Sequence, residues 1–238
     1  MRKFHVIIID DERLAREEVK RSLADFPEFE IIGEAKNYEE AKKQIEALRP
    51  ELIFLDIQMP GKSGFDLLES LNEVPQVVFT TAFNEYAVKA FDVEALDYLV
   101  KPLRKERFAI TIERIKKRLG KSESQQEIPS EKQVFIKDGN KCFFVQLKDV
   151  YLIESADNYA RLYFNDRKAL IKRSLNQLEE TLNSNIFFRI SRNQIINTKY
   201  ISQINNLDKG KLQVRLHKGE PMEVSLRQSV LFKSLNRL

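Results

Sequence analysis

A chain of 238 residues with 42% hydrophobic content is longer than one ordinary domain and carries enough apolar side chain for two cores. Its single cysteine, Cys142, excludes an internal disulfide and with it a disulfide-stapled secreted protein, so a reducing compartment is expected. The overall charge of +4 hides an asymmetry: residues 1–119 carry 20 Lys and Arg against 23 Asp and Glu, residues 120–238 carry 20 against 13, and only the second half suits a polyanionic partner.

The N-terminal Met1-Arg2-Lys3-Phe4-His5 leads into a four-residue apolar run that ends in acid at Asp10, too short for a signal-peptide core. No later stretch approaches the roughly 20 apolar residues of a membrane span, so a soluble, cytoplasmic protein without a membrane partner is expected. Short apolar runs at Val6 to Ile9, Ile31-Ile32, Leu52 to Leu55, Val77 to Phe79 and Leu96 to Val100 predict strands. Between and after them Leu14/Val19/Leu23, Ala41/Ile45/Leu48, Phe65/Leu68/Leu71, Ala87/Phe91 and Phe108/Ile112/Ile115 recur at helical spacing. Continuous rather than alternating apolar strands fit a parallel sheet covered on both faces, which predicts a doubly wound, five-stranded α/β domain over residues 1–118.

Residues 119–132 are polar and broken by Pro129, the composition of a linker. Beyond them the rhythm changes to short strand-like pieces: Val134 to Ile136, a turn at Asp138-Gly139-Asn140, then Phe143 to Leu147, Val150 to Ile153, Tyr159 to Phe164, Leu170-Ile171 and Leu212 to Leu216. Only Leu175/Leu178/Leu182 and Val230 to Leu235 have helical spacing. Residues 133–238 are therefore expected to form a mainly-β domain, with Cys142 a small buried hydrophobe in its first hairpin.

The chemistry gathers at predicted strand ends. Strand one ends in Asp10-Asp11-Glu12, strand three in Asp56, strand four in Thr80-Thr81-Ala82, and Lys101-Pro102 follows strand five. In a doubly wound sheet, ligand groups converge outside the carboxyl ends of the strands, so these residues are expected in one crevice. Close carboxylate pairs repel by about 4 kcal/mol at an effective dielectric near 20, which a hard divalent cation offsets. Asp11 and Asp56, Asp10 through water and the backbone carbonyl of Gln58 make a donor set suited to Mg2+, with Lys101 as a second positive charge. A carboxylate beside such charges can accept a phosphoryl group, and Asp56, before the turn Gln58-Met59-Pro60-Gly61, is the candidate nucleophile. Taken singly, an Asp-Asp pair is a helix cap and a Lys-Pro pair a loop; it is their joint placement that points to chemistry.

Asp10-Asp11, Asp56-Ile57-Gln58-Met59-Pro60-Gly61, Thr81-Ala82 and Asp97-Tyr98-Leu99-Val100-Lys101-Pro102 closely resemble the receiver domains of two-component response regulators. The resemblance implies that Asp56 takes phosphate from a sensor histidine kinase with Mg2+ required, and that Thr81 and Tyr98 form a switch pair. Thr81 and Lys101 would bond the added phosphoryl oxygens, leaving space for Tyr98 to turn inward, and the face 83–93 and 96–108 would then support a homodimer. The plainer reading of Tyr98 is a half-buried aromatic at a strand edge. A haloacid-dehalogenase-like phosphatase would need a second acid two residues after the nucleophile, where this chain has Gln58.

The basic half holds no catalytic constellation: His217 stands alone before Lys218-Gly219, so no separate enzyme activity is expected. Its Arg and Asn residues near turns are suited to phosphates and base edges of double-stranded DNA. Residues 150–159 and Phe187-Phe188-Arg189-Ile190-Ser191-Arg192-Asn193-Gln194-Ile195-Ile196-Asn197 resemble the LytTR family of DNA-binding domains. The resemblance implies DNA contacts from loops, with candidates Asn158, Tyr159, Arg161, Arg189, Arg192, Asn193 and Arg227. Some members carry a histidine where this chain has Ala160, so Asn158 or Tyr159 is expected in its place. Arg189 fits equally a tie to an acidic neighbour, and Asn197 fits a turn cap better than a DNA contact. The chain is thus expected to be a response regulator whose phosphorylation controls DNA binding and transcription; the alternative is a receiver gating a protein- or RNA-binding module.

Overall fold

The apolar runs of the first half become the strands of one parallel sheet, and the amphipathic segments become helices packed on its two faces. The computed structural model describes residues 2–82, 95–120, 132–138 and 141–236. In chain order the first part comprises β1 Phe4–Ile9, α1 Arg13–Leu23, β2 Phe29–Ala35, α2 Tyr38–Leu48, β3 Leu52–Asp56, α3 Gly64–Ser70, β4 Gln76–Thr81, β5 Asp97–Val100 and α4 Lys105–Gly120. The strand order is β2-β1-β3-β4-β5, with each neighbouring pair parallel. The predicted helix around Ala87 and Phe91 lies outside the described residues.

Alternate side chains of the central strands feed two cores. Val6, Ile8, Leu52, Phe54 and Val78 pack with Val19 and Leu23 of α1 and with Phe108, Ile112 and Ile115 of α4. Ile7, Ile9, Ile53, Leu55 and Phe79 pack on the other face with Ala41 and Ile45 of α2 and Phe65, Leu67 and Leu68 of α3. With both faces buried, no position along β3 is free to be polar until its last residue, and all five of its residues, Asp56 included, are buried. The helices start where side chains can replace missing backbone partners: Asn37 Oδ1 accepts from Glu40 N at 2.9 Å ahead of α2, and Ser63 and Asp66 cap each other reciprocally ahead of α3.

The sheet's outer strand is tied to its last helix by one carboxylate. Asp97 accepts from Arg107 Nη1 (2.8 Å), Arg107 Nη2, Arg114 Nη1 (3.0 Å), Thr111 Oγ1 (2.8 Å) and Tyr98 N (2.9 Å). Burial pushes its carboxyl up, but Arg107, the Tyr98 amide and Thr111 outweigh burial and hold it below the ordinary value of 3.8.

The chain divides into compact units Met1–Gln146 and Leu147–Leu238. Two boundaries differ from the sequence reading. Helix α4 continues to Gly120, into the segment read as linker, because Leu119 still packs against the α1/α4 core. The hairpin of β6 Gln133–Asp138 and β7 Lys141–Gln146, expected to open the second domain, belongs to the first unit, where Phe135, Cys142 and Phe144 join the core that holds Phe65 and Phe79. Cys142 is buried, as expected of a small hydrophobe.

The second unit is mostly β. Strands β8 Val150–Ala156, β9 Tyr159–Phe164, β10 Arg167–Ile171, β11 Phe187–Ser191 and β12 Gln194–Asn197 form an antiparallel sheet in the order β10-β9-β8-β12-β11. Helix α5 Leu175–Thr181 begins at a Ser174/Gln177 capping box. A second sheet of β13 Ile201–Asn206, β14 Leu212–Leu216 and β15 Met222–Val224 packs Leu212, Val214, Leu216 and Val224 with Phe188, Ile190 and Phe232, the last from α6 Leu226–Asn236. Among the described residues no helix is long and apolar enough to cross a membrane.

Replacing Asp97 by Asn should lower the unfolding free energy at neutral pH by about 1–3 kcal/mol, since charged donors lose their acceptor. The folded-state pKa lies below the ordinary one, so this stabilisation is complete above pH 3.8 and vanishes as the pH falls through the folded-state value. Urea titrations of both proteins from neutral to acid pH should therefore converge at the acid end.

Candidate functional site

Four strand ends deliver the polar groups to one place. Asp10 follows β1 and Asp56 closes β3, and both are almost fully buried, at 1% and 5% exposure. Asp11 is exposed beside them, and one carboxylate oxygen from each of Asp10, Asp11 and Asp56 lies within 4.8 Å of the others. Lys101 Nζ stands 2.7 Å from Asp10 Oδ2 and 2.7 Å from Asp56 Oδ2. Its backbone N donates to Thr81 O at 2.8 Å, which fixes the segment after β5 against the end of β4. Thr81 is buried at the last position of β4, and Thr80 pairs in register with Asp56. The sequence-predicted pocket residues Asp10, Asp11, Asp56, Thr81 and Lys101 are thus assembled at one end of the sheet.

Short loops hold the carboxylates in place. Glu12 N donates to Asp10 Oδ1 at 3.0 Å, and Gln58 N donates to Asp56 Oδ1 at 3.0 Å. Arg16 Nη1 donates to Asp10 O at 2.7 Å and Nε to Glu34 at 3.3 Å, so α1 braces the end of β1. After Asp56 the chain turns through Gly61 at φ +83°, a region that L side chains rarely adopt. Gly64 then returns so closely that a Cβ there would lie 2.4 Å from Asp56 O. Its N donates to Ile57 O at 2.8 Å, and α3 starts from this contact.

The electrostatics are unbalanced. Burial pushes the Asp10 carboxyl up, against the opposing pull of Lys101. Burial also works against the Lys101 ammonium, but Asp10 and Asp56 outweigh it and hold its pKa above that of an ordinary lysine. Three carboxylates facing one ammonium leave an excess of negative charge among hard oxygen donors, the set that a hydrated divalent cation of the Mg2+ type fits. Tyr98, half-buried on β5, pairs with Phe79 and packs against the α2/α3 core.

In the second unit, two turns share one end of the larger sheet. Gln194 pairs with Glu154, and Ser155 N donates to Asn193 O at 2.9 Å, so the β11/β12 turn sits beside the β8/β9 turn. The residues just before α6 join them through Ser225 N, which donates to Ile190 O at 2.9 Å. Asn158, Tyr159, Arg192 and Asn193 are exposed on these turns, Arg227 is exposed in the first turn of α6, and Arg161 is half-buried opposite Glu154. Ala160 is fully buried, paired with Ser155, so this position faces the core while Asn158 and Tyr159 meet solvent.

Two residues have structural partners. Asn197 donates to Val150 O at 3.0 Å and accepts from Lys199 N at 3.0 Å, the turn cap anticipated from its sequence. Arg189 donates to Asn176 Oδ1 (2.6 Å), Glu179 Oε2 (2.7 Å), Ser191 O (3.1 Å) and Arg192 O (2.8 Å). Asn176 and Glu179 went unnoticed in the sequence because nothing in a short amphipathic helix announces what its polar face will meet. The same is true of Glu154, which accepts from Tyr163 Oη at 2.6 Å and Gln194 Nε2 at 3.0 Å beside the turns.

Comparison with known proteins agrees with both halves. The response regulator receiver domain matches residues 6–113, and the LytTr DNA-binding domain matches residues 140–236. The sensory transduction protein LytT of Enterococcus faecalis is 32% identical over 227 residues, covering 93% of this chain and 94% of its own. An uncharacterized response regulatory protein of Vibrio cholerae is 37% identical over 224 residues, with 93% of each chain covered. The transcriptional regulatory protein BtsR of Escherichia coli K12 is 33% identical over 232 residues, covering 93% and 94%. An acidic crevice on a doubly wound sheet with a receiver match, followed by a β-rich module with a LytTR DNA-binding match, defines a response regulator. The chain belongs to the response regulators that join a receiver to a LytTR DNA-binding domain, and it acts as a two-component regulator of transcription with no separate catalytic domain.

Proposed function

We propose that Asp56 is the phosphoacceptor, that Mg2+ is held by Asp10, Asp11, Asp56 and the Gln58 backbone carbonyl, and that Thr81, Tyr98 and Lys101 read the phosphoryl group. The observation that carries this reading is the single Lys101 ammonium, 2.7 Å from two buried carboxylates that a third adjoins. An Asp56 oxygen forms the new bond to phosphorus as the bond to the kinase histidine nitrogen breaks, the electron pair leaving with the imidazole. Bound Mg2+ supplies positive charge to the phosphoryl oxygens. Lys101 supplies the remaining positive charge and orients Asp56, while the Gln58 amide, by holding Asp56 Oδ1, leaves the other oxygen to Lys101 and the incoming group. The resulting phosphoprotein is read as a cytoplasmic homodimer-forming activator or repressor; the face predicted at 83–93 lies outside the described residues.

On the DNA side, Asn158, Tyr159, Arg161, Arg192, Asn193 and Arg227 are assigned to the duplex from their place at the shared end of the sheet. Arg189 is assigned a positioning role, since its donors hold the Ser191–Arg192 backbone and helix α5. The working boundaries remain a receiver at 1–118, a connecting segment at 119–132 and a DNA-binding module from 133, with the β6/β7 hairpin packed on the receiver side.

Three outcomes are expected. Intact-mass measurement after incubation with acetyl phosphate should show one added phosphoryl group, absent in Asp56→Asn; retained labelling in that variant would remove Asp56 from its role. Mg2+ at ten times its dissociation constant should stabilise the wild type by about 1.4 kcal/mol in thermal unfolding, and Asp11→Asn should lose this shift without loss of basal stability, because a repulsive charge has gone. Glu179→Ala removes a negative charge, which alone would favour DNA; loss of the Arg189 clamp should instead weaken binding to a selected duplex about tenfold while leaving the salt dependence of random-sequence binding intact. Tighter binding to both duplexes would reduce Glu179 to simple electrostatics.

A further inference from the structure

The β6/β7 hairpin is built into the receiver through a closed ring of four phenylalanines. Phe65 of α3 stacks on Phe135 of β6, with centroids 5.9 Å apart and planes at 7°. Phe135 meets Phe144 of β7 edge-on at 5.2 Å, Phe144 meets Phe79 of β4 at 6.5 Å, and Phe79 returns to Phe65 at 5.3 Å. Polar contacts register the hairpin on the same surface: Val74 N donates to Gln133 O at 3.0 Å, and Gln133 Nε2 donates to Pro75 O at 2.7 Å. Lys132 pairs with Glu73, and Lys137 lies 3.8 Å from Asp66.

The two receiver rings are joined directly to the acidic crevice. Phe65 follows Gly64, where a Cβ would lie 2.4 Å from Asp56 O and whose N donates to Ile57 O. Phe79 precedes Thr80-Thr81 on β4 and lies opposite Tyr98, which packs against the same core. A rearrangement of Thr81 or Tyr98 therefore bears on the rings that seat the hairpin, and close-packed interiors answer by discrete repacking rather than by gradual deformation. On the other side, β7 ends at Gln146 and the second compact unit begins at Leu147 with no spacer. The polar segment 121–131 precedes the hairpin rather than following it, so it separates the receiver from its own hairpin and not the hairpin from the DNA-binding half.

We propose that the docked hairpin 133–146 is the restraint through which the unphosphorylated receiver holds down DNA binding, and that phosphorylation loosens it. This rests on Asp56 being the phosphoacceptor. Couplings of this kind change affinity by roughly 5–150-fold. The restraint acts on the two strands that lead directly into the second unit at Leu147, and these stay on the receiver while the four rings stay packed.

The test uses the full chain with and without acetyl phosphate, with Asp56 labelling followed by intact mass in every sample. Hydrogen exchange should be faster in residues 133–138 and 141–146 of the phosphorylated protein. The duplex used is one selected from a random pool by the phosphorylated wild type, and the reading is the ratio of its affinities for the two forms. Phe135→Leu keeps apolar volume but removes the stack, and Gln133→Ala keeps the rings but removes the bond to Pro75. Both variants should still label at Asp56, and the ratio should fall from about tenfold or more to within about twofold because the unphosphorylated variants bind more tightly. Equal exchange of the hairpin in the two forms, or a ratio unchanged in both variants, overturns the proposal. Failure of the wild type to label at all would instead overturn the phosphoacceptor reading, and this inference with it.

Discussion

Burying carboxylates beside one another is costly, and the first half of this protein is arranged around that cost. Asp10 and Asp56 sit at the ends of central strands that are apolar apart from the exposed His5, and both carboxylates are almost fully buried. One ammonium, Lys101, lies against both. Its position depends on the end of β5, which depends in turn on the Asp97 clamp to α4 and on the backbone bond to Thr81. The loop after β3 belongs to the same arrangement, because its Gln58 amide holds Asp56 and its turn at Gly61 brings Gly64 back against the end of the strand. In so under-compensated a pocket, a divalent cation or a dianionic group would change the charge balance strongly.

The DNA-binding half follows a different logic, in which backbone placement precedes charge. Three segments distant in sequence are brought to one end of a sheet by strand pairing and two backbone hydrogen bonds. Basic side chains there are of two kinds. Arg192 and Arg227 are exposed, whereas Arg189 is committed to the loop and to α5. Positive charge in this half is thus partly taken up within the fold, as Arg189 shows.

Much of this was legible in the sequence, for identifiable reasons. Parallel strands buried on both faces leave continuous apolar runs, and the functional groups of such sheets fall at strand ends, so Asp10, Asp56, Thr81 and Lys101 could be placed together without coordinates. The β strands at 187–191 and 194–197 were harder to see, since Arg and Asn interrupt their alternation and the segment reads first as a basic stretch. Ala160 stands where some family members carry a histidine; pairing with Ser155 turns it into the core, a matter of register that no single residue type encodes. The polar stretch before residue 133 points to a domain start there, and the LytTR match does begin within the hairpin at residue 140, yet the hairpin's rings pack into the first unit's core. Composition reports where a chain is unlikely to pack, but not which partner the next apolar segment will choose.

That choice has a practical meaning for recombination. If receivers and output modules were exchanged by splicing within the polar stretch at 121–131, the receiver would part from Phe135 and Phe144, and Phe65 and Phe79 would lose their apolar cover. The foreign module would arrive with two strands tailored to a surface it no longer meets. A chimaera that keeps this packing carries the fourteen residues from Gln133 to Gln146 along with the receiver, even though the LytTR match already begins at residue 140.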